Sequence, residues 1–388
     1  MNAMAVDENL LKFEIPEVVF GRGSLGQIGD CAGRLGGERV LLVTDPGITA
    51  AGWVDEAIGH LRDAGLDWEV FDNVVTNPRD FQVEQGIQVY RRKRCDVIVA
   101  VGGGSPIDTA KGIAILASNH GAIHEYEGCN LVTQPIPPLV CAPTTAGTGA
   151  DVSQFSIIAD TRRKVKMTLL SRAIMPDVSL IDPRLLTTLS PEMIAATGMD
   201  ALTHAVEAYV SSLAWPMTDP HALHAIELVG RHLREAAQAK SPAALDGMFI
   251  ACLEAGIAFS NAILGAIHAL AHPLGALYDI HHGVANAVLL PTVVRKNMGY
   301  AMARFADIGH ALSPETRGRG VQAAAEAVPE MLDALIADIG LPSRLSELGV
   351  DPADIPALAE MAQVDPCMLT NPYCYSKAEI ESMYRDAL

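Results

Sequence analysis

The sequence changes texture at Asp182-Pro183, and that change constrains the fold more than any single motif. Before it, short β-branched runs alternate with segments of helical periodicity. Arg39-Val-Leu-Leu-Val-Thr44, Asp96-Val-Ile-Val-Ala-Val101 and Pro138-Leu-Val-Cys-Ala142 read as strands, and 50–65 and 80–94 as helices. Strands that are apolar at every position are buried on both faces, and the alternating helices are what cover them. The pattern predicts a parallel sheet, with Val165–Leu170 and Val178–Ile181 as further strands. From Ser190 onward strand signals vanish, and Ala, Leu, Met and His recur at helical spacing through 191–213, 217–238, 243–276, 284–312 and 320–340. Ser190-Pro191-Glu192 marks the first start, with serine at the N-cap and proline in the first turn. The expected class is α/β plus all-α, with one domain over 1–185 and a helical domain over 186–388. A chain of 388 residues, 49% of them hydrophobic, falls where one core divides into two.

A net charge of −18 argues against nucleic acid or an anionic membrane surface as partner. The cysteines, at 31, 95, 129, 141, 252, 367 and 374, are scattered, odd in number and lack a C-x-x-C pair. That pattern suits reduced thiols and predicts a cytoplasmic location. The N-terminal stretch has no basic segment leading into an apolar one, and no apolar run approaches a membrane span.

Val101-Gly-Gly-Gly-Ser-Pro-Ile-Asp-Thr-Ala-Lys111 follows a buried strand and opens a helix. Gly102 to Gly104 permit positive φ and close approach of backbone to a phosphate. Ser105 is expected to cap the helix and Asp108 to complete a capping box. Free N–H groups at a helix start attract a pyrophosphate. The match to G-x-G-x-x-G is partial, because Ile107 stands at the third glycine. Asp45 ends an earlier strand in LLVTDPG, where a carboxylate accepts ribose hydroxyls and repels a 2′-phosphate. A second loop, Ala142-Pro-Thr-Thr-Ala-Gly-Thr-Gly149, follows the next strand. Each loop alone also reads as a tight turn without ligand; two such loops at strand C-terminal ends face one crevice of a parallel sheet, which favours a Rossmann-like dinucleotide domain.

The helical half carries potential metal ligands. Asp200 and His204 are four apart, as are His268 and His272, and His281-His282-Gly283 follows. Four-residue spacing stacks two side chains on one helix face. The same spacing also makes an ordinary local contact. Nitrogen and oxygen donors without thiolate suit Fe²⁺ or Zn²⁺, with Mn²⁺, Co²⁺ or Ni²⁺ also compatible. The candidates outnumber the four ligands of a closed site, and spacing alone does not choose among them.

The motifs of the chain resemble those of a known family. FGRGSLGQIG, LLVTDPG, TNP at 76–78, GGGSPIDTAKGIA, PTTAGTGAD, PDVSLIDP, TGMDALTHAVEAY, HALAHPLGALY, HGVANAVLLP and TNP at 370–372 span nearly the whole chain. Together they resemble the iron-containing (group III) alcohol dehydrogenases, and within them the lactaldehyde reductase/propanediol oxidoreductase type. The resemblance implies NAD-dependent oxidation of short alcohols, or reduction of the aldehydes, at a divalent metal. Fe²⁺ is the expected ion and Zn²⁺ or another divalent cation the alternative. It implies Asp200, His204, His268 and His282 as ligands, and His272 as a free histidine beside the nicotinamide, available for proton transfer. Asp45 would hold the adenosine ribose. Asn77, Gly103, Gly104, Ser105, Asp108, Thr144, Thr145 and Lys166 would line the dinucleotide site, and Phe155, Phe259 and Cys367 the substrate pocket. A homodimer or larger homo-oligomer is also implied. The rival readings are a zinc-dependent polyol dehydrogenase of the glycerol type, which uses one carboxylate and two histidines, and a non-catalytic nucleotide- and metal-binding sensor.

The chain departs from the family pattern in places. Ala150-Asp151 stands where Ser-Glu is common, and Tyr373 where arginine is common near the pocket entrance. His281 replaces a frequent proline, beside His282; of the two readings, tuning the metal or facing solvent, the second is expected.

Overall fold

Uninterrupted apolar runs become the centre of a sheet because both of their faces are covered. The computed structural model describes residues 12–388. Its strands are β1 (Glu17–Phe20), β2 (Arg39–Val43), β3 (Asp67–Phe71), β4 (Val97–Gly102), β5 (Gly128–Cys129), β6 (Leu139–Pro143), β7 (Phe155–Asp160), β8 (Val165–Leu170) and β9 (Val178–Ile181). Six form one sheet in the order β1-β9-β6-β4-β2-β3, and every pairing in it is parallel. Strands β4, β6 and β9 are buried at every residue. Alternation splits each strand between two cores. Val40 and Leu42 pack with Ile28, Val54 and Leu61 on one face, while Leu41 and Val43 pack with Val83, Ile107 and Ile113 on the other.

Strand β2 has β3 on one side and β4 on the other. The winding therefore reverses between β2 and β4, and the connections leaving their C-terminal ends part there, which opens a crevice. Asp45 lies just beyond β2 and Gly103 just beyond β4.

Two features differ from the sequence expectation. Val165–Leu170 does form a strand, but it pairs antiparallel with β7 in a separate sheet of order β5-β8-β7. Strands β1 and β3 are the edges of the large sheet. Edges face solvent along part of their length, so Asp67-Trp-Glu-Val-Phe71 lacks the apolar continuity that reveals a central strand.

Beyond β9 the regular structure is helical: Pro191–Val210, Asp219–Ala239, Pro242–Ala262, Ala266–Tyr278, His282–Asn297 and Met302–Leu312 pack around one core. Ser190 caps the first of these by accepting from Met193 N, with Pro191 in its first turn. The expected helix 243–276 breaks at Ile263, whose φ is 64°. A β-branched residue there costs about 1–3 kcal/mol, and apolar periodicity runs through the break unmarked because both sides are buried. The expected helix 284–312 likewise divides after Asn297, and 320–340 divides into Val321–Glu326 and Val328–Asp338. Two further helices follow, Ile355–Gln363 and Lys377–Asp386. The last starts with a Ser376/Glu379 capping box, and Tyr384, fully buried on it, donates to Leu270 O at 2.6 Å. Pro242–Ala262 has the length and hydropathy of a membrane span, but 72% of its apolar window is buried within the fold, as a core helix.

Candidate active site

Helical spacing puts Asp200, His204 and Glu207 on one face of Pro191–Val210. Two other helices bring their first turns to that face. His268 lies in the first turn of Ala266–Tyr278, and His282 opens His282–Asn297. Gly283 permits this approach, since a Cβ there would lie 2.1 Å from Ala196 O and 3.3 Å from Asp200 Cβ. The result is a cluster in which one donor atom each from Asp200, His204, His268 and His282 lies within 4.8 Å of the others. Asp200 Oδ1 is 3.9 Å from His204 Nε2, 3.9 Å from His268 Nε2 and 3.7 Å from His282 Nε2.

Outer hydrogen bonds set which nitrogens converge. His204 Nδ1 meets Gly147 O at 3.1 Å, and His268 Nδ1 meets Glu207 Oε2 at 2.5 Å. With Nδ1 donating in both, the Nε2 lone pairs are left to face Asp200, the orientation metal-binding histidines show. Burial lowers the His204 pKa to about 4 and pushes His282 well below its usual value, with neighbouring His268 adding to the second effect. Burial also opposes charge on His268, but Glu207 outweighs it and raises the pKa. Asn286 Nδ2 donates to Asp200 Oδ1 at 2.8 Å and lies 3.3 Å from both His268 Nε2 and His282 Nε2. Three imidazole Nε2 atoms converging on a buried carboxylate make a site for a cation.

The same cavity, of about 790 Å³, runs from this cluster to the crevice of the sheet. It is lined from the sheet side by Asp45, Asn77, Gly103, Gly104, Ser105, Asp108, Thr144, Thr145, Phe155 and Lys166. Asp200, His204, Phe259, His268, His272, His282 and Cys367 line it from the helical side. The glycines fit against the second loop: a Cβ at Gly104 would lie 2.9 Å from Thr148 Cγ2, and one at Gly103 would lie 3.1 Å from Thr145 Cγ2. Phe259 stacks on His204 with ring centroids 4.4 Å apart, and Phe155 lies 5.8 Å from Phe259.

Profiles described as Iron-containing alcohol dehydrogenase and as Fe-containing alcohol dehydrogenase family, C-terminal, match residues 16–183 and 194–388 respectively. The chain belongs to the iron-containing alcohol dehydrogenase family. It is 45% identical to the 1,3-propanediol dehydrogenase of Citrobacter freundii over 382 residues, covering 97% of this chain and 99% of the relative. It is 37% identical to the NAD-dependent methanol dehydrogenase of Bacillus methanolicus, with 96% and 98% covered. Lactaldehyde reductase of Escherichia coli (strain K12) is also 37% identical, with 95% and 97% covered. The crystal structure of a 1,3-propanediol oxidoreductase superposes with a TM-score of 0.96 at 43% identity, covering 98% of this chain and 100% of that one. The protein is thus a metal-dependent oxidoreductase of the alcohol and aldehyde class, with its Asp-His-His-His group in the helical half.

In this member of the family the glycine loop differs in detail from the sequence expectation. The helix begins at Gly104 with Gly103 as its N-cap, so Ser105 lies inside the first turn and caps nothing. Asp108 forms no capping box, and burial raises its pKa to about 7. Of the three glycines only Gly102 has positive φ, at 159°, and a Cβ there would meet Pro106 Cγ at 2.5 Å. Asp45 does double work: Oδ1 caps Pro46–Ala50 by accepting from Gly47 N and Ile48 N, while its residue lines the crevice. His281 is half-buried and lines the cavity, more enclosed than expected, and burial lowers its pKa. Tyr373 is not among the cavity-lining residues; it stacks on Tyr300 with centroids 4.2 Å apart.

Several residues at the site escaped the sequence reading. Glu207 was legible in principle, seven residues after Asp200 on the same helix face. Asp365, whose Oδ2 meets His272 Nδ1 at 2.7 Å, is 93 residues away in sequence and carries no local signal. Asp279 accepts from Asn77 Nδ2 at 2.7 Å and links the helical half to the sheet half at the cavity. Lys111 is fully buried and donates to Ser153 O and Phe155 O at 2.6 and 2.7 Å, holding the segment that carries Phe155. Burial lowers the Lys111 pKa.

Proposed function

We propose that the protein oxidises short primary alcohols or diols with NAD⁺, and reduces the aldehydes with NADH, at a divalent cation held by Asp200, His204, His268 and His282. Fe²⁺ is the proposed ion. The observation that carries this reading is that one cavity joins the cation cluster to the crevice where the sheet winding reverses. The donor set fits a cation because outer hydrogen bonds hold Nδ1 of His204 and of His268. The crevice fits a dinucleotide because it offers glycine backbone at a helix start. Thr144 Oγ1 is also buried there without a hydrogen-bond partner among the described residues.

When bound, the cation would polarise the substrate oxygen and the nicotinamide would accept or return the hydride. Backbone N–H groups of Gly104 and Ser105, in the first turn of their helix, are oriented to hold a pyrophosphate. Asp45 would accept a ribose hydroxyl through its carboxylate, which disfavours a 2′-phosphate. Asn77, Asp108, Thr144, Thr145 and Lys166 line the rest of the dinucleotide's path. Phe155, Phe259 and Cys367 wall an apolar space suited to a few carbon atoms. His272, with Nδ1 engaged by Asp365, has Nε2 available to take the hydroxyl proton.

The test is NADH formation with C2–C4 alcohols and diols, using protein loaded with Fe²⁺ or with Zn²⁺, beside His268→Ala. The expected result is cation-dependent turnover of short substrates, lost together with bound metal in the variant. Full activity in metal-free His268→Ala protein would sink the assignment, and absence of turnover with every alcohol and aldehyde would favour a sensor.

A further inference from the structure

His272 and Asp365 are 93 residues apart in the helical half, and the fold brings them to 2.7 Å. Their side chains are 14% and 13% exposed, so water competes little for the contact. Asp365 uses both oxygens. Oδ2 accepts from His272 Nδ1, and Oδ1 accepts from Cys367 N at 2.9 Å, capping the turn Pro366–Thr370. His272, Asp365 and Cys367 thereby form a second tight group, with one donor atom from each lying within 4.8 Å of the others. Burial by itself would raise the Asp365 pKa, but His272 and the hydrogen bonds outweigh it and lower the pKa.

We propose that Asp365 is a positioning residue whose single carboxylate fixes the tautomer of His272, with Nδ1 protonated and Nε2 free, and at the same time sets the Cys367 wall of the pocket. This deepens the proposed function and rests on its reading of His272 as the proton acceptor. The consequence is coupling: the group that takes the proton and the wall beside it cannot shift independently. In the oxidation direction the hydroxyl proton passes to His272 Nε2 while the Nδ1 proton stays with Asp365, so the carboxylate orients and does not itself become protonated.

Asp365→Asn probes this without changing shape. Cys367 N still needs an acceptor, so the amide oxygen stays at the turn and the NH₂ faces His272. An NH₂ donates, so Nδ1 must accept, and the imidazole proton moves to Nε2. The free lone pair in the cavity is lost. The expected fall in kcat/KM is about 10²–10⁴-fold, the range associated with general acid–base catalysis, and the equilibrium constant requires the same factor in both directions. The fall should lie in kcat, with substrate KM and bound metal within a few-fold of wild type. Asp365→Ser separates the two duties. Its hydroxyl can accept from Cys367 N but is too short to reach His272, so it should be impaired to a similar degree.

A double-mutant cycle with His272→Ala completes the test. Once His272 is absent, adding Asp365→Asn should cost no more than about threefold further. Additive losses, near-wild-type turnover in Asp365→Ser, or an effect confined to KM would each overturn the proposal. Failure of the underlying reading looks different: His272→Ala would then keep full activity. If His272→Ala is impaired and Asp365→Asn is not, only the positioning role fails.

Discussion

Glu207→Gln removes one charge from the interior without changing its shape. Glu207 is 1% exposed and uses both oxygens, accepting from Ile267 N at Oε1 and from His268 Nδ1 at Oε2, each at 2.5 Å. In the glutamine variant, Ile267 N still requires an acceptor, so the amide oxygen remains on that side. Its NH₂ then confronts Nδ1–H, donor against donor. Relief comes when the His268 proton moves to Nε2, which blocks the lone pair that faces Asp200. Loss of such an outer partner lowers metal affinity by about 10–100-fold, equivalent to about 1.4–2.7 kcal/mol. Under saturating cation the metal-dependent part of stability falls by the same amount, a few degrees in thermal midpoint for a chain of this size. Competition against a chromogenic chelator measures the affinity, and thermal unfolding with and without cation measures the linkage. The metal-free forms of the two proteins should lie closer together than the loaded forms. An unchanged dissociation constant in a folded Glu207→Gln protein would refute the orientation argument, since the changed hydrogen bond would then have no path to the cation.

Other perturbations test different parts of the structure. Gly283→Ala should separate two helices at the cation cluster, because the added Cβ would sit 2.1 Å from Ala196 O. Weakened metal retention together with a lower melting temperature is expected, and a variant with wild-type values for both would contradict the close packing. Asp45→Gly should raise activity with NADP relative to NAD while costing only a few tenths of a kcal/mol at the helix cap; an unchanged cofactor ratio counts against a ribose role. Phe259→Ala should admit longer alcohols, seen as lower KM for them, and cost about 3–5 kcal/mol of stability as a buried aromatic truncation; unaltered chain-length preference would remove Phe259 from the pocket wall. Asp160 accepts backbone N–H bonds from Arg162 and Arg163 and pairs with the Arg163 side chain, and these lower its pKa from 3.8 to about 2. Its folded-state pKa is depressed, so the stabilisation is present above the unfolded value and is lost as pH falls through the folded one. The stability gap between wild type and Asp160→Asn should therefore close between about pH 4 and pH 2, and a gap that persists to pH 2 would argue against the shift.

By itself the sequence determined the two textures of the chain, the buried central strands, the glycine loop and the helical pairing of Asp200 with His204. Each depends on residues within a turn or strand of one another, and local chemistry enforces such patterns wherever they occur. Edge strands were illegible because solvent tolerates charge there, and the break at Ile263 was illegible because burial continues across it. Tertiary structure alone decided which histidine nitrogens converge with Asp200. His268 and His272 share a helix face and look equivalent in sequence. Glu207, 61 residues from His268, holds one, and Asp365, 93 residues from His272, holds the other. The orientation of an imidazole is set by the partner of its far nitrogen, and that partner is chosen by how helices pack, which no spacing within either helix records.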